Sequence, residues 1–496
     1  MPRLALVAAS MVLAGGAGAA YAQSVRVSPT LDTELTWTDN VNAERNGRED
    51  MILEVSPGIS VSRTGGRMTG GLSARFRNLM YARESDQNTS YLSLNGTGTY
   101  EAIEDLLFID VAAGISRSNL SAFSGRGPGD PFGVDEDNET RTWSISPRLE
   151  SDLRFGEAGR GSIRYSSRGF SSNEGGLGDQ SVSKWDVSLS DPGGFRFFGW
   201  GVDYSRTDTD GGTSTSRSST EETVRGTLFA NVSPQFRVRG IVGHESNDYE
   251  NGRENSGNIV GGGIDWYPTD RTAISATVED RIFGRGYDVS FSHRMRRSVW
   301  SFGASRDISS VAQDLGPALV FEQSCVDLVS DPSFRPDITD PVLRQFLLLD
   351  CLSLTLLRSN AAFVDRSIRG GVSLLGVRNT LSFSATRSDR SRLSALSGLL
   401  PDDDFLTSDR IRLTTATVSW NHTLTGTSDL FADLTRSRSE SIDDSQLDTR
   451  RLTATIGVSR TLGPYTRGSL RYRHEKADGS NDYTENSVTA TLGMRF

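Results

Sequence analysis

Histidine and cysteine, the side chains most used in catalytic and metal centres, are scarce in this sequence. There are two cysteines and four histidines among 496 residues. The histidines form neither an HExxH motif nor a paired zinc spacing, and no GxSxG nucleophile elbow occurs beside plausible partners. His422 is interpreted as an interfacial histidine. We therefore expect no catalytic residue, no metal site, no cofactor and no enzyme activity.

Long apolar runs and an excess of basic residues are also absent. Only 35% of the residues are hydrophobic, the mean hydropathy is -0.39, and beyond the first residues no stretch of about 20 apolar residues could cross a membrane as a helix. Lysine and arginine total 53 against 63 aspartates and glutamates, and no basic stripe is interleaved with aromatic residues. This composition argues against nucleic-acid binding.

The first 22 residues differ from the rest. A short basic start, an apolar core over Leu4–Ala14 and a small-x-small site at Ala20–Ala22 predict a secretory signal peptide over residues 1–22. The remaining chain is therefore expected to be exported. In an oxidising compartment, a disulfide between Cys325 and Cys351 is the favoured interpretation, with free thiols or metal binding as alternatives.

Strict alternation of apolar and polar residues is the dominant pattern. Within Val25–Thr38, Leu35 and Trp37 fall on one side of the alternation. Glu34 and Thr36 fall on the other side, because period two places successive side chains on opposite faces of a strand. The polar face is too charged for a packed soluble core. It suits a water-filled lumen, with the apolar face turned to lipid.

Short turns alternate with long polar connections over residues 23–496. Turns such as Thr64–Arg67 and Leu375–Arg378 separate two alternating segments. Long connections such as Asn40–Asp50 follow, and Gly284–Gly286 is interpreted as the one short outer connection. Short periplasmic turns and long outer loops are typical of outer-membrane barrels. The sequence therefore predicts an all-β, up-and-down antiparallel transmembrane β-barrel of about 22 strands, within a range of roughly 18–24.

The two faces of these segments carry different side chains. The tryptophans fall on the apolar set, as expected of aromatic girdles, at Trp37, Trp143, Trp185, Trp200, Trp266, Trp300 and Trp420. Charged side chains on the other set are expected to line the lumen, and they include Arg75, Arg77, Arg148, Glu150, Asp152, Arg237, Arg239, Glu279, Arg281, Arg471 and Arg473. Because the signs are mixed, we expect no steep preference for anions or cations.

One connection is much longer than the others. Residues 312–360 contain both cysteines, and Asp340–Pro341 is a typical helix start. The apolar segment Val342–Leu357 that follows predicts a helix of about 16 residues, which is too short to span a bilayer comfortably. Its apolar surface must pack on other groups. We expect this extracellular insertion to fold over or into the outer mouth of the barrel.

Two acidic segments, residues 130–139 and Asp402–Asp404, could collect Ca²⁺, because hard cations favour clustered oxygen ligands. The first segment lacks the glycine and terminal glutamate spacing of a dedicated calcium loop, and the second is similar. Both are interpreted as solvated surface loops. Loose divalent-cation binding beside lipopolysaccharide is the alternative.

The last residues alternate again and end on an aromatic side chain. Leu492, Met494 and Phe496 resemble the C-terminal signal by which the barrel-assembly machinery recognises bacterial outer-membrane barrels. A closed barrel needs its last strand paired with its first, so that no polar backbone edge faces lipid. The segment Ser487–Phe496 is therefore predicted to pair with the first strand.

Three short segments resemble a known family. Thr36–Val41, which contains Asp39–Asn40, and Val55–Ser60 are similar to the opening of a β-barrel porin family. That family includes PEP-CTERM/exosortase-associated outer-membrane β-barrel proteins of Gram-negative bacteria, and in it the Asp-Asn pair closes the first strand. Gly376–Leu381 resembles a turn-and-strand element of the same group. The resemblance covers residues 25–496, implies an outer-membrane barrel and implies no catalytic residues.

The barrel and the resemblance together lead to two functional hypotheses. The first is a porin-like passive conduit for polar solutes or exported polysaccharide. The alternative is a closed structural or assembly barrel of a surface-polysaccharide or secretion system. The expected location is the outer membrane of a Gram-negative bacterium. Expected partners are outer-membrane lipid and lipopolysaccharide, the barrel-assembly machinery, and polysaccharide or its export apparatus.

Overall fold

The computed structural model describes most of the chain. The described residues are 24–117, 121–124, 126, 139–151, 160–172, 178–191, 197–211, 218–249, 255–311, 313, 357–395, 399, 403–443, 447–479 and 482–496. The predicted signal peptide, the acidic segment 130–138, Asp152 and both cysteines lie outside them. Most of the predicted helix in the 312–360 insertion also lies outside them.

The alternating segments form 22 strands, because β-branched, aromatic and small residues with period two suit a pleated, half-buried surface. The strands are β1 (Ser24–Thr38), β2 (Asp50–Thr64), β3 (Met68–Tyr81), β4 (Thr89–Ile103), β5 (Leu107–Arg117), β6 (Glu139–Ser151), β7 (Arg160–Ser172), β8 (Gly178–Asp191), β9 (Phe198–Asp210), β10 (Ser219–Ser233), β11 (Phe236–Asn247), β12 (Asn255–Thr269), β13 (Thr272–Arg281), β14 (Gly284–Arg294), β15 (Ser298–Ser310), β16 (Ala362–Leu375), β17 (Asn379–Arg392), β18 (Arg410–Thr425), β19 (Ser428–Ser441), β20 (Asp448–Gly463), β21 (Thr466–Asp478) and β22 (Tyr483–Arg495). Among the described residues, no helix is long and apolar enough to cross a membrane.

Each strand pairs antiparallel with the next, and the ring closes where β1 pairs with β22. The closing pair runs over Thr30–Thr38 and Ser487–Arg495. The amide of Phe496 also donates a hydrogen bond to the carbonyl oxygen of Pro29 at 2.9 Å. The predicted all-β antiparallel barrel of about 22 strands is confirmed, as is the pairing of the last strand with the first.

Alternate side chains point outward and inward in a closed barrel. In β1, Leu35 and Trp37 are 44% and 40% exposed, whereas Thr36 and Thr38 are 1% and 0% exposed. The outward set therefore carries the large apolar side chains, and the inner wall carries the polar ones. The tryptophans with 40–48% exposure are Trp37, Trp143, Trp185, Trp266 and Trp300.

The two ends of the barrel differ in their connections. At the turn end, two or three residues join most neighbouring strands, as at Gly65–Arg67 between β2 and β3 and Gly376–Arg378 between β16 and β17, and the β6–β7 and β8–β9 connections are longer. Gly65 and Gly66 have φ values of 100° and 66°, in the left-handed region that favours glycine. The longer connections lie at the opposite end, which is called the loop end below.

The short connection at the loop end differs from the sequence prediction. It is Ile282–Phe283 and not Gly284–Gly286, because β13 ends at Arg281 and β14 begins directly after the phenylalanine. The guanidinium carbons of Arg281 and Arg306 lie 5.0 and 5.2 Å from the centre of the phenylalanine ring. These cation–π contacts stabilise an apolar turn that the alternation pattern cannot distinguish from strand.

A clasp of hydrogen bonds covers the β1–β22 seam at the loop end. Asp39 accepts from Asn486 through both oxygens, Oδ1 from the backbone amide and Oδ2 from Nδ2, each at 2.7 Å. Asn40 Nδ2 donates to the carbonyl oxygens of Thr484 at 3.0 Å and Glu44 at 2.7 Å. The Asp39–Asn40 pair therefore ties the end of β1 to β22.

Asp39→Ala should weaken this seam, because it leaves two donors of Asn486 without their acceptor. The free energy of unfolding is expected to fall by about 1–3 kcal/mol, measured by urea titration of the barrel in lipid vesicles. Asp86→Ala is the control, since Asp86 is exposed and lies on the neighbouring β3–β4 connection. Equal stability of the two variants would show that the clasp does not hold the seam.

Candidate functional site

The charged residues predicted for the lumen form ion pairs across the inner wall. Arg77 donates from Nε and Nη2 to the two carboxylate oxygens of Glu54 at 2.7 and 2.6 Å. Arg148 Nε donates to Asp110 at 2.7 Å. Further pairs are Arg75–Asp32 at 3.3 Å, Arg239–Asp265 at 3.2 Å, Arg225–Glu279 at 3.2 Å, Arg471–Glu34 at 3.8 Å and Arg473–Glu475. The wall therefore carries paired charges of both signs.

The other predicted lumen residues have different surroundings. Arg237 Nε donates to the side chain of Asn231 at 2.9 Å, and not to a carboxylate. The side chain of Glu150 and the whole of Asp152 lie outside the described residues. Sequence patterns do not single out Glu54 as the partner of Arg77, because that pairing depends on the register between β2 and β3. The charge alternation of β2 could have placed it on the inner wall.

The inner charges differ in exposure along the wall. The side chains of Asp32, Asp110 and Arg471 remain 33–36% exposed along the wall. Glu245 and Glu475, near the loop end, are 2% and 1% exposed. Solvent therefore reaches the wall along the lumen, and Glu245 and Glu475 are shielded from it, whereas Asp307 beside Glu245 is 63% exposed.

Arg281 and Glu245 form an enclosed ion pair of this wall. The Arg281 side chain is 4% exposed, and its Nε donates to Glu245 Oε2 at 2.6 Å. Nη1 donates to Asp307 at 3.1 Å, and Glu245 Oε1 accepts the amide of Ile282 at 2.7 Å. One guanidinium therefore connects β11, β13 and β15 beside the short loop-end connection.

An apolar cluster lies at the loop end and is called the mouth cluster below. Its buried members are Ala122, Phe170, Val311, Leu357, Ala361, Phe363, Phe405, Ile411 and Leu413, with Phe123 and Leu399 packed against them. Phe170 belongs to β7 and Ile411 to β18, which are separated by half of the 22-strand ring. Residues of the loop-end connections fill the space between them. The mouth cluster therefore links opposite parts of the wall across the opening.

The prediction that Asp402–Asp404 is a solvated loop is wrong for its last two residues. Asp403 and Asp404 are 4% and 6% exposed. Asp404 accepts from Ser121 Oγ at 2.7 Å and from the amides of Ala122 at 3.2 Å and Arg358 at 2.9 Å. Burial is tolerated because donors from two other connections satisfy the carboxylate.

Asp403 is satisfied in the same way. It accepts from Ser359 Oγ at 2.8 Å and from the amides of Asn360 at 3.0 Å and Phe405 at 2.8 Å. Burial raises the pKa of this carboxyl and raises the pKa of Asp404 to about 6, although the hydrogen bonds oppose the shift. No sequence motif indicates these contacts, since their donors come from distant parts of the chain.

The β5–β6 connection reaches well beyond its own strands. Arg126 donates to the carbonyl oxygen of Val41 in the β1–β2 connection. Arg451, on the wall of β20, donates from Nη2 to the carbonyl oxygen of Ser124 at 3.2 Å. The described part of this connection therefore lies against the β20 wall as well as against the mouth cluster.

The expected position of the 312–360 insertion is tested only at its ends. Val311, just before it, and Leu357, near its end, are both buried in the mouth cluster. Arg168 of β7 also donates to the carbonyl oxygen of Gln313 at 3.3 Å. Both described ends of the insertion therefore lie at the loop-end opening. Within the described ranges, no group of three or more His, Cys, Asp or Glu side chains is placed to hold a metal ion.

Comparison with known proteins yields similar folds only. No protein-family model and no curated protein matches the chain. Among solved structures, the siderophore receptor PirA from Pseudomonas aeruginosa has 8% identity and a TM-score of 0.47, covering 96% of this chain and 81% of the receptor. PirA from Acinetobacter baumannii has 9% identity and a TM-score of 0.48, covering 95% and 81%. A loop L8 deletion mutant of OmpT, an outer membrane protein of Vibrio cholerae, has 8% identity and a TM-score of 0.33, covering 96% and 100%. Likenesses this loose transfer no ligand or activity to this chain.

Proposed function

We propose that the protein is an outer-membrane barrel that acts as a passive conduit for polar solutes or exported polysaccharide, and not as an enzyme. The observation that carries the proposal is a closed 22-strand ring whose inner charges stay partly exposed to solvent. Barrels of this strand number are too wide to be filled by their own wall side chains. The lumen would therefore hold water down to the turn end.

The outer surface supports placement in a membrane. Large apolar and aromatic side chains are exposed on the outward set, including Trp143 and Trp185, and such a surface suits hydrocarbon and interfacial lipid. Lipid and lipopolysaccharide are then the immediate neighbours, with the loop end facing outward. Insertion by the barrel-assembly machinery is proposed from the C-terminal resemblance at Leu492, Met494 and Phe496.

The nature of the solute is proposed from the wall and from the family resemblance. Paired arginines and carboxylates offer many hydrogen-bonding groups and little net charge, which suits neutral or weakly charged polar molecules. From the resemblance to exosortase-associated porins, we propose exported polysaccharide as a further solute and its export apparatus as a partner.

The proposal is tested by ion conductance of the purified barrel in planar bilayers. Asp110→Asn removes one exposed negative charge from the wall and its ion pair with Arg148, so ion selectivity should shift toward anions. Asp280→Asn is the matched control, because Asp280 is 75% exposed at the loop end on the outward set. Conductance with the same selectivity in both variants would mean that the current does not pass along this wall.

A closed structural or assembly barrel is the second candidate, and the mouth cluster favours it. Its contacts connect opposite walls, so the protein could be shut at the loop end. Uptake of small sugars into liposomes separates the two functions. A barrel that passes no solute, even after the mouth cluster is disrupted, would be structural.

A further inference from the structure

The loop-end opening contains one junction where three connections meet on a single side chain. Asp404 belongs to the β17–β18 connection, Ser121 and Ala122 to the β5–β6 connection, and Arg358 to the segment before β16. All three donors converge on one carboxylate at 2.7–3.2 Å.

The junction is part of the mouth cluster. Phe405 follows the carboxylate directly, is fully buried, and its ring centre lies 5.8 Å from that of Phe363 on the wall. Ala122 and Leu357, beside the donors, are also buried there. Opening the mouth would therefore expose both the apolar cluster and the carboxylate to water.

We propose that Asp404 is an acid-operated latch, which holds the loop-end mouth closed when its carboxyl is protonated and loosens it when the carboxyl is ionised. The apolar surroundings favour the neutral form, whereas an opened mouth would hydrate the charged form. The latch rests on the proposed conduit function, since it regulates passage through the lumen.

The direction of the pH effect follows from linkage. Burial in the closed mouth raises the pKa of Asp404 to about 6, against 3.8 for the hydrated carboxyl of an open mouth. The closed form therefore binds the proton more tightly, and its added stability is complete below 3.8 and is lost as the pH rises through about 6. Between pH 7 and pH 5 the ratio of closed to open mouths should rise about tenfold.

Few charged groups face this carboxyl within the described residues. Asp403 is adjacent, shares the cluster and has its pKa raised in the same direction. Arg358 lowers the pKa of Asp404 through its positive charge. From the wall, the Arg390 guanidinium carbon lies 4.9 Å from the centre of the Phe363 ring. The described residues 121–124 contribute no ionisable side chain.

Hydrogen exchange of the intact barrel in lipid vesicles tests the latch without relying on conductance. Protection factors of the segments 121–124 and 357–361, corrected for intrinsic exchange, should rise about tenfold from pH 7 to pH 5. Asp404→Asn should lose most of this rise, and the remainder would come from the adjacent Asp403. Asp409→Asn, a change at an exposed carboxylate of the same connection, should keep the pH dependence.

A second variant tests the latch while keeping the Asp404 carboxyl. The Ser121 hydroxyl lowers the pKa of Asp404, so Ser121→Ala should move the midpoint of the protection change to higher pH. Ser85→Ala, on the exposed β3–β4 connection, should not move it. A midpoint unchanged by Ser121→Ala, or a rise in protection that Asp404→Asn leaves undiminished, would overturn the assignment.

Conductance measured on the same preparations separates this inference from the proposed function. Protection factors that do not change with pH, in a barrel that conducts ions, would refute the latch and leave the proposed conduit function standing. The pH-dependent protection in a barrel that never conducts would refute the conduit and leave the latch as a conformational switch. Conductance that falls together with rising protection below pH 6 would support both.

Discussion

Arg281→Ala is expected to lower the free energy of unfolding of the barrel by about 3–5 kcal/mol, because it leaves a buried carboxylate without its partner. Glu245 is 2% exposed and receives its charge compensation mainly from this guanidinium. The lost contacts to Asp307 and to the Phe283 ring add to the effect. Urea unfolding in vesicles, followed by tryptophan fluorescence, measures it.

The same hairpin supplies the control. Arg285 and Asp280 lie 3.7 Å apart but are 74% and 75% exposed, and exposed pairs contribute only about 0–1 kcal/mol. Arg285→Ala should therefore leave stability nearly unchanged. Arg281→Met combined with Glu245→Gln removes the buried charge and keeps an acceptor for the Ile282 amide, so it should recover more than half of the loss. No recovery would mean that the unpaired charge is not the cause.

Phe405→Ala is expected to destabilise the mouth cluster by about 3–5 kcal/mol, the cost of deleting a fully buried aromatic side chain. The wall should keep its stability, because the strand pairing does not depend on this ring. We therefore expect higher conductance and faster proteolysis of the loop-end connections, with an unchanged urea midpoint for the barrel.

Leu406→Ala is the matched control for this second variant. Leu406 is the next residue and is 39% exposed, so its truncation should change mouth opening by less than about 0.5 kcal/mol. If both variants conduct alike, the mouth cluster does not close the barrel. If Phe405→Ala lowers the urea midpoint as well, the cluster supports the wall and is not an independent element.

These two variants separate the two parts of the molecule. The wall is held by continuous strand pairing and by enclosed ion pairs such as Arg281–Glu245. Among the described residues, the mouth cluster is held by side-chain contacts and by backbone hydrogen bonds such as that from the amide of Asp404 to the carbonyl oxygen of Arg358 at 2.8 Å. A barrel with a rigid wall and a separately stabilised mouth could open without unfolding.

The sequence predicted much of the wall, because its signals are local. Alternation placed Leu35 and Trp37 outside and Thr36 inside, and glycine at positions such as Gly65 located the turns. It also placed Arg77 and Arg148 on the polar set. It did not give their partners, since a pair such as Arg77–Glu54 requires the register of two strands.

The contacts at the loop-end mouth could not be predicted from the sequence. Asp403 and Asp404 have the sequence of a solvated acidic loop, yet they are buried by groups that come from the β5–β6 connection and from the segment before β16. The apolar turn Ile282–Phe283 was likewise misplaced, because Arg306, which helps to hold it, lies on the next strand pair.

The sequence by itself therefore determined the barrel, its approximate strand number and the faces of its strands, because period-two alternation is a property of neighbouring residues. Only the tertiary structure decided the ion-pair partners, the seam clasp and the mouth cluster. The ion pairs require the register of neighbouring strands, and the seam clasp and the mouth cluster require contacts between distant residues that form once the ring has closed.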